Sequence, residues 1–140
     1  MTTKITVPFV DCNSRIPMIK VKIGDVWTNA IIDTGAGSTL IGSDVLKLPE
    51  ATVVDDNLVA NFTGIGEYKN KKISQITANV GIMGSEFVIT GYEFDLSSII
   101  DHFIRICGYD ENISFILGSG FLNSHDAVID YENRYVTLSI

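Results

Sequence analysis

One acidic residue in this sequence stands where its carboxylate could do chemistry. Asp33 directly follows three apolar residues and precedes a run of small ones, Thr34, Gly35 and Ala36. Small side chains on this side of the acid would let a substrate or a second chain approach closely. The hydroxyl of Thr34 can donate or accept a hydrogen bond beside the acid. The pattern therefore predicts a reactive carboxylate at the end of an apolar strand.

Three marks along the chain resemble the retroviral-like aspartic proteases, or retropepsins. The first is segment 30–41, which contains the family's Asp-Thr-Gly-Ala motif after hydrophobic residues. The second is a pair of apolar residues and a glycine at 116–118, followed by a short helix and a terminal strand. The third is a flap hairpin between these two, with the glycine-rich run 63–66 at its tip. A lone Asp-Thr-Gly is a weak signal, whereas all three marks in this order are specific.

The resemblance implies a fold, a site and a partner. The implied fold is all-β, closed and mostly antiparallel, with one or two short helices. Peptide hydrolysis in this family needs two carboxylates that share a proton, one acting as base toward a water and one as acid toward the carbonyl oxygen. Since the chain has one Asp-Thr-Gly motif, the second carboxylate must be Asp33 of another copy in a twofold homodimer. The implied site residues are the catalytic Asp33, the active-site loop residues Thr34, Gly35 and Ala36, and the flap residues Gly64, Ile65 and Gly66.

The expected function is that of an aspartic endopeptidase acting on an extended peptide or protein, without a metal or other cofactor. By resemblance, Thr34 bonds across the dimer beside the acids. The flap closes over the peptide, which adds as a strand through main-chain hydrogen bonds. The alternative is a catalytically silent dimeric module of the same fold that binds peptides without cutting them. The intact Asp-Thr-Gly motif argues against that alternative.

The sequence departs from the family pattern in three places. Gly37 stands where the family commonly has a polar side chain, and Glu67 makes the flap tip more polar than in retroviral members. Residues 93–113 look like an insertion relative to compact retropepsins. Such an insertion bears on dimer geometry and on substrate access.

Other interpretations of the motif are a simple turn after a strand and a phosphate-binding loop. Strand-Asp-Thr-Gly-Ala-Gly-Ser is similar to the phosphate loop of actin-like ATPases, where glycine amides cradle phosphate. Those folds need a much longer chain with a second phosphate loop, and the sequence lacks the Gly-Lys-Ser/Thr of a Walker motif. Asp130 lacks a following glycine and is expected to be a surface strand residue. His102 is expected to be structural.

Strand-like patterns dominate the chain. Helical spacing of apolar residues predicts a helix over 95–107, with Asp95 or Ser97 as its cap. Ser43 is a candidate cap for a helical turn at 44–47, and Trp27 is expected in the core. The predicted strands are 4–10, 16–23, 26–32, 40–41, 58–62, 68–80, 86–90, 115–117, 127–131 and 134–140, with a second helical turn at 119–124.

Composition limits the remaining choices. A chain of 140 residues that is 46% hydrophobic fits one domain, 1–140. The net charge of −7 disfavours a nucleic-acid partner, and no apolar run approaches the roughly 20 residues that span a bilayer. Without a signal core, a cytoplasmic location is expected, with Cys12 and Cys107 as reduced thiols. The sequence leaves open whether the chain is excised from a larger polyprotein.

Overall fold

The computed structural model describes residues 3–12, 15–62 and 68–140. Within these ranges the chain is built mainly of strands, with one 3-10 helix (Ser43–Lys47) and two α-helices, α1 (Ser97–Cys107) and α2 (Ser119–Ser124). The strands are β1 (Lys4–Pro8), β2 (Met18–Ile23), β3 (Val26–Ile32), β4 (Leu40–Gly42), β5 (Ala51–Phe62), β6 (Tyr68–Ile82), β7 (Ser85–Phe94), β8 (Phe115–Leu117), β9 (Val128–Asp130) and β10 (Tyr135–Ser139).

The predicted all-β class is confirmed, and the larger sheet closes on itself. Its strand order is β2-β3-β8-β4-β7-β6-β5, and a pairing of Lys22 in β2 with Gly81 in β6 completes the closure. Most pairs are antiparallel, whereas β3–β8 and β4–β7 are parallel. A second sheet, β1-β10-β9, pairs Lys4 with Ser139 and so joins the first strand to the last.

Strands β3 and β8 and helix α2 begin and end where the sequence predicts them. Strand β5 begins at Ala51, well before the predicted residue 58. Its pairing with β6 shifts register between Val53 and Asp55 and again between Asp55 and Leu58. Each shift places extra residues opposite the partner strand and breaks the two-residue alternation that identifies a strand in sequence. Because of these register shifts, the first half of β5 lacks the alternation of apolar and polar residues by which a strand is predicted from sequence.

Two clusters of buried side chains form the core. The first fills the closed sheet and includes Ile19, Val21, Ile23, Ile41, Ile76, Ile89, Phe115 and Leu117. The second lies between the sheet and helix α1 and consists of Met18, Ile31, Leu40, Phe94, Leu96, Ile99, Phe103, Ile113 and Ile116. Because β3 and β8 alternate, Ile32 and Leu117 face the first cluster while Ile31 and Ile116 face the second. The strands that carry the site are therefore packed on both faces.

Helix α1 is attached to the barrel through its apolar side. Ile99 and Phe103 are buried in the second cluster, and burying such side chains contributes about 1.5–3 kcal/mol each. The carboxylate of Asp95 accepts the N–H of Ser97 at 2.9 Å, which satisfies a free donor of the first turn. At the other end, Gly108 adopts φ +66°, a left-handed conformation that glycine tolerates. The predicted segment 93–113 contains this helix, and its status as an insertion stays a prediction.

The sequence expectations for Ser43 and Trp27 are wrong. Ser43 does not cap the 3-10 helix, because it lies inside the first turn, and Gly42 before it makes no side-chain cap. Trp27 is 62% exposed rather than in the core. It lies near the start of β3, ahead of the run of buried residues in that strand, and the ammonium of Lys22 lies 5.4 Å from its ring centroid.

Among the described residues, no helix has the length and apolar character needed to cross a membrane.

Strand β7 passes close to Thr39 at the end of the loop that follows Asp33, and this contact gives a stability prediction. A methyl group at Gly91 would lie 2.5 Å from the carbonyl oxygen of Thr39, which also accepts the N–H of Tyr92 at 3.0 Å. Gly91→Ala should lower the free energy of unfolding by about 1–3 kcal/mol, because the backbone must move to relieve the overlap. Urea denaturation measures the change.

The matched control is Gly81→Ala in the neighbouring strand β6, where the added methyl group would meet its nearest atom at an ordinary 3.7 Å. Equal losses in the two variants would contradict a steric cause at Gly91.

Candidate active site

Asp33 lies where the chain leaves strand β3. Its N–H still donates to the carbonyl of Leu117 in β8, at 3.0 Å. The chain then turns, and the N–H of Ala36 donates to the carbonyl of Asp33 at 3.2 Å. Inside this turn the N–H of Gly35 donates to Oδ1 of Asp33 at 3.0 Å. The carboxylate is thus oriented by a backbone amide and lies half-buried at the surface.

A second segment crosses directly beneath this turn. A methyl group at Gly118 would lie 2.6 Å from the carbonyl oxygens of both Ala36 and Ser38, so only glycine fits there. Immediately after it, the N–H of Ser119 donates to the carbonyl of Ala36 at 2.7 Å. The apolar pair and glycine at 116–118 therefore serve as the floor on which the Asp33 turn is held.

Thr39 joins the two segments from the other end of the turn. Its hydroxyl is buried and accepts the N–H of Gly118 at 3.1 Å. Strand β4 begins at the next residue and pairs with β8 on one side and β7 on the other. The turn is therefore fixed at both ends by strands of the same sheet.

The predicted loop residues Thr34, Gly35 and Ala36 come together with Asp33 in this one turn. Thr34 and Gly35 are exposed, and Ala36 is half-buried. Gly37, where the sequence departs from the family pattern, has no side chain to form a hydrogen bond. Its backbone carbonyl nevertheless accepts a hydrogen bond from the hydroxyl of Ser119 at 3.3 Å. The structure brings these residues together but does not test their roles.

The flap residues Gly64, Ile65 and Gly66 lie outside the described residues. The strands on either side of them, β5 and β6, are paired as far as Phe62 and Tyr68.

A pocket of about 570 Å³ opens beside Asp33 and Thr34. Apolar side chains dominate its lining, and within residues 3–12, 15–62 and 68–140 Asp33 is the one carboxylate that lines it. One wall is the end of β3, a second is segment 15–17, and a third is helix α1 through Ser98, Ile99, His102 and Phe103. Tyr131, just after β9, completes the lining.

Sequence reasoning missed several residues that border this site: Arg15, Thr39, Ser98, His102 and Tyr131. His102 was expected to be structural, yet it is exposed and faces the pocket. His102 follows Ser98 by four residues and Ile99 by three, and this spacing predicts that the three residues share one face of a helix. Nothing in that spacing says that this face lies beside Asp33, which is distant in sequence.

Asp130 is the last residue of strand β9, and its place in a strand agrees with the sequence prediction of a strand over 127–131. Its carboxylate accepts the side-chain amide and the backbone N–H of Asn133, both at 2.9 Å. These hydrogen bonds, that of the side-chain amide first, lower the pKa of Asp130 below its usual value, because they stabilise the charged form. The carboxylate of Asp130 therefore stabilises the turn between β9 and β10 through its hydrogen bonds to Asn133.

Within residues 3–12, 15–62 and 68–140, no three His, Cys, Asp or Glu side chains are grouped so that they could hold a metal ion.

Comparison with known proteins gives the class of this chain. A family model described as retroviral aspartyl protease matches residues 13–110. The chain belongs to this family of retropepsin-like proteins, and both the closed sheet and the Asp-Thr-Gly turn agree with that membership.

Two solved structures share the fold. A retropepsin-like aspartic protease from Rickettsia conorii has a TM-score of 0.56 and 20% sequence identity, covering 99% of this chain and 92% of that one. The retroviral protease-like domain of Ddi1 from Leishmania major has a TM-score of 0.52 and 17% identity, covering 97% of this chain and 95% of that one. No curated protein matches the chain.

The buried hydrogen bond between Gly118 and Thr39 gives a second stability prediction. Thr39→Val keeps the shape of the side chain but leaves the Gly118 N–H without its acceptor. The free energy of unfolding should fall by about 1–3 kcal/mol, the cost of a buried donor left unpaired. Thermal or urea denaturation measures the loss.

The control is Thr77→Val, whose hydroxyl bonds to that of Thr90 at 3.2 Å at an exposed position of the same sheet. That substitution should change stability by no more than about 0.5 kcal/mol. A Thr39→Val variant as stable as the control would show that the hydroxyl does not hold the two segments together.

Proposed function

We propose that this chain is an aspartic endopeptidase that works as a homodimer, with one Asp33 from each copy. The observation that supports this most is the placement of Asp33. Its carboxylate is held by the Gly35 amide in a turn, next to an apolar pocket in which no other carboxylate lies among the described lining residues. Peptide hydrolysis of this kind requires two carboxylates, and each chain would supply one of them beside the pocket.

In the proposed reaction, one Asp33 is ionised and its partner is protonated. The ionised carboxylate takes a proton from a water molecule, whose oxygen attacks the scissile carbonyl carbon. The protonated carboxyl donates its proton to the carbonyl oxygen, so a tetrahedral diol forms without a buildup of charge. In the collapse of the diol, one hydroxyl gives its proton to the carboxylate that is now ionised, and the C–N bond breaks as the other carboxyl gives its proton to the amine nitrogen. The pair thus returns to its singly protonated form.

Exposure of the site residues supports the dimer. Thr34 and Gly35 are open in the single chain, so a second chain could reach them. Exposed apolar side chains also lie in and beside the sheet β1-β10-β9, with Val128 of β9 at 58%, Tyr131 just after β9 at 61% and Ile140 just after β10 at 52%. Exposed apolar residues on a sheet with open edges are suited to association. In the dimer, Thr34 would bond across the twofold axis beside the two acids.

The substrate in this proposal is an extended peptide or protein segment, covered by a flap at Gly64, Ile65 and Gly66. Cys12 and Cys107 are free thiols, which is compatible with a reducing compartment such as the cytoplasm.

Asp33→Asn tests the catalytic role. The amide has nearly the shape of the carboxylate but cannot accept and release the proton, so kcat/KM should fall by roughly 10⁴-fold or more. Cleavage of a peptide library, followed by mass spectrometry, measures the loss. Unchanged melting temperature and sedimentation would show that the fold and dimer remain.

Cleavage retained by Asp33→Asn would remove this residue from the proposed role. A wild-type protein that binds peptides yet cuts none of them would instead favour the silent peptide-binding module.

Dilution tests the sharing of the site between two chains. Activity per chain should fall as the concentration passes below the dimer dissociation constant, because separated chains hold one carboxylate each. An excess of Asp33→Asn chains should likewise suppress wild-type activity by drawing wild-type chains into mixed dimers. Two chains joined in tandem by a flexible linker serve as the control and should keep their activity on dilution.

Activity per chain that stays constant well below the dissociation constant measured by ultracentrifugation would contradict the shared site.

A further inference from the structure

We infer that a second pocket, at the end of strand β3 away from Asp33, binds the guanidinium group of an arginine in a peptide partner. This Trp27 pocket has a volume of about 650 Å³ and is lined by the first residues of β3 and by segment 110–112. Among the described residues, none lines both this pocket and the one at Asp33. Trp27 precedes Asp33 by six residues, or roughly 20 Å along an extended chain, so the site goes beyond the proposed function.

Asn29 leaves a buried acceptor unpaired at this pocket. The residue is 2% exposed, and its side-chain amide donates to the carbonyl of Asn112 at 2.6 Å. Its Oδ1 is buried and has no hydrogen-bond partner in the part of the chain that the structure describes. Such an orphaned acceptor is costly, and a bound donor would satisfy it.

The position of Asn29 on its strand places this acceptor at the pocket. Residues two apart on a strand face the same side, so Asn29 and Trp27 share the outer face of β3, and both line the pocket. Lys20, which pairs with Asn29 across the hairpin, lines it as well. Because Lys20 and Trp27 are exposed, their side chains can rotate and let a donor reach Oδ1.

Segment 110–112 adds two carboxylates to the lining, those of Asp110 and Glu111. Both residues are exposed, and Glu111 accepts the hydroxyl of Tyr109 at 3.0 Å. Within residues 3–12, 15–62 and 68–140, no lysine or arginine forms an ion pair with either carboxylate. Lys20 is the one cation in this described lining, so two negative charges stand against one positive charge. The pocket therefore favours a cationic guest.

The indole of Trp27 borders two pockets. It is 62% exposed and also lines a pocket of about 800 Å³ that contains Lys22. The ammonium of Lys22 lies 5.4 Å from the ring centroid, but Lys22 does not line the Trp27 pocket. The face of an indole attracts cations. The ring can therefore hold a second cation on the side where Asp110 and Glu111 lie.

An arginine side chain matches this combination better than a metal ion does. A guanidinium group is planar, stacks on aromatic rings and donates hydrogen bonds in several directions, so it can meet carboxylate and amide oxygens together. A calcium ion takes about six to eight oxygen ligands and would lie beside the ammonium of Lys20. The net charge of −7 also draws a basic peptide toward the chain over a distance.

The first experiment uses Trp27 as a reporter, because it is the single tryptophan of the chain. Full-length Asp33→Asn protein, which leaves the peptide uncut, is titrated with a flexible Gly-Ser peptide that contains one arginine. The indole N–H resonance of Trp27 should shift and saturate. Citrulline in place of arginine should weaken binding by about 5- to 10-fold, because hydrogen bonds to a charged group are stronger. Equal binding of the two peptides would overturn the inference.

The acidic wall is tested with Asp110→Asn and Glu111→Gln, each in the Asp33→Asn protein. Each should weaken binding of the arginine peptide by about 2- to 5-fold, the scale of exposed charge pairs. The matched control is Asp25→Asn, an exposed carboxylate in the β2–β3 turn that does not line the pocket, and it should leave binding unchanged. Equal weakening by Asp25→Asn and Asp110→Asn would show an effect of net charge alone and would overturn the site.

Two further variants test the ring and the sign of the guest. Trp27→Leu, followed by the fluorescence anisotropy of a labelled peptide, should weaken binding by about 2- to 5-fold through loss of the cation–π contact. Lys20→Gln removes the cation of the pocket and should strengthen binding by about 2-fold. Weaker binding in Lys20→Gln would show that the pocket prefers an anion and would overturn the inference.

Other occupants are outcomes of the same measurements. A shift of the Trp27 resonance by Ca²⁺ or Mg²⁺, with none by the arginine peptide, would assign the pocket to a metal ion and overturn the inference. An arginine peptide that raises the dimer dissociation constant in sedimentation would assign the pocket to a second copy, with the same consequence. Since binding is measured without cleavage, a protein that binds arginine here but cuts no peptide would keep this site and overturn only the protease.

Discussion

The Asp33 turn can lie where it does because a second segment passes beneath it without a side chain. At Gly118, the carbonyls of Ala36 and Ser38 occupy the space that a Cβ would need. The contact is completed by two hydrogen bonds, from Ser119 to Ala36 and from Gly118 to Thr39. Moving either segment by about an ångström would break these bonds together and would displace the carboxylate. The strand order makes this contact possible. Strand β8 lies between β3 and β4, so Gly118, which directly follows β8, lies beneath the turn that joins them.

Helix α1 gives the molecule a second core beside the barrel. In a closed sheet, one face of each strand fills the interior and the other would meet solvent. Here the outward residues Ile31 and Ile116 are covered by Ile99 and Phe103. The covering is incomplete next to Asp33, and the gap is the pocket. One packing arrangement therefore both stabilises strands β3 and β8 and forms a cavity beside the Asp33 carboxylate.

Local patterns in the sequence predicted much of the fold and little of the wider site. The bounds of β3, β8 and α2 followed from short apolar runs between glycines and polar residues, which are local signals. The Asp33 turn was predicted from its own residues and a family resemblance. Thr39 was missed because its role depends on Gly118, a residue far along the chain. Trp27 was wrongly predicted to lie in the core. The hydrophobic character of a residue does not show whether its part of the strand is covered by other elements, and the start of β3 is exposed.

The pairing of the first strand with the last has a consequence for synthesis. Lys4 lies opposite Ser139, and β3 receives its parallel partner only when β8 has been made. A chain emerging from the ribosome therefore has its Asp-Thr-Gly segment long before the strands that hold it. The carboxylate therefore cannot adopt its final geometry until β8 and Gly118 have been made. Ribosome-bound fragments that end before β8 would accordingly expose the apolar residues of β3 without a formed Asp33 turn, and exposed apolar strands of this kind are prone to aggregate.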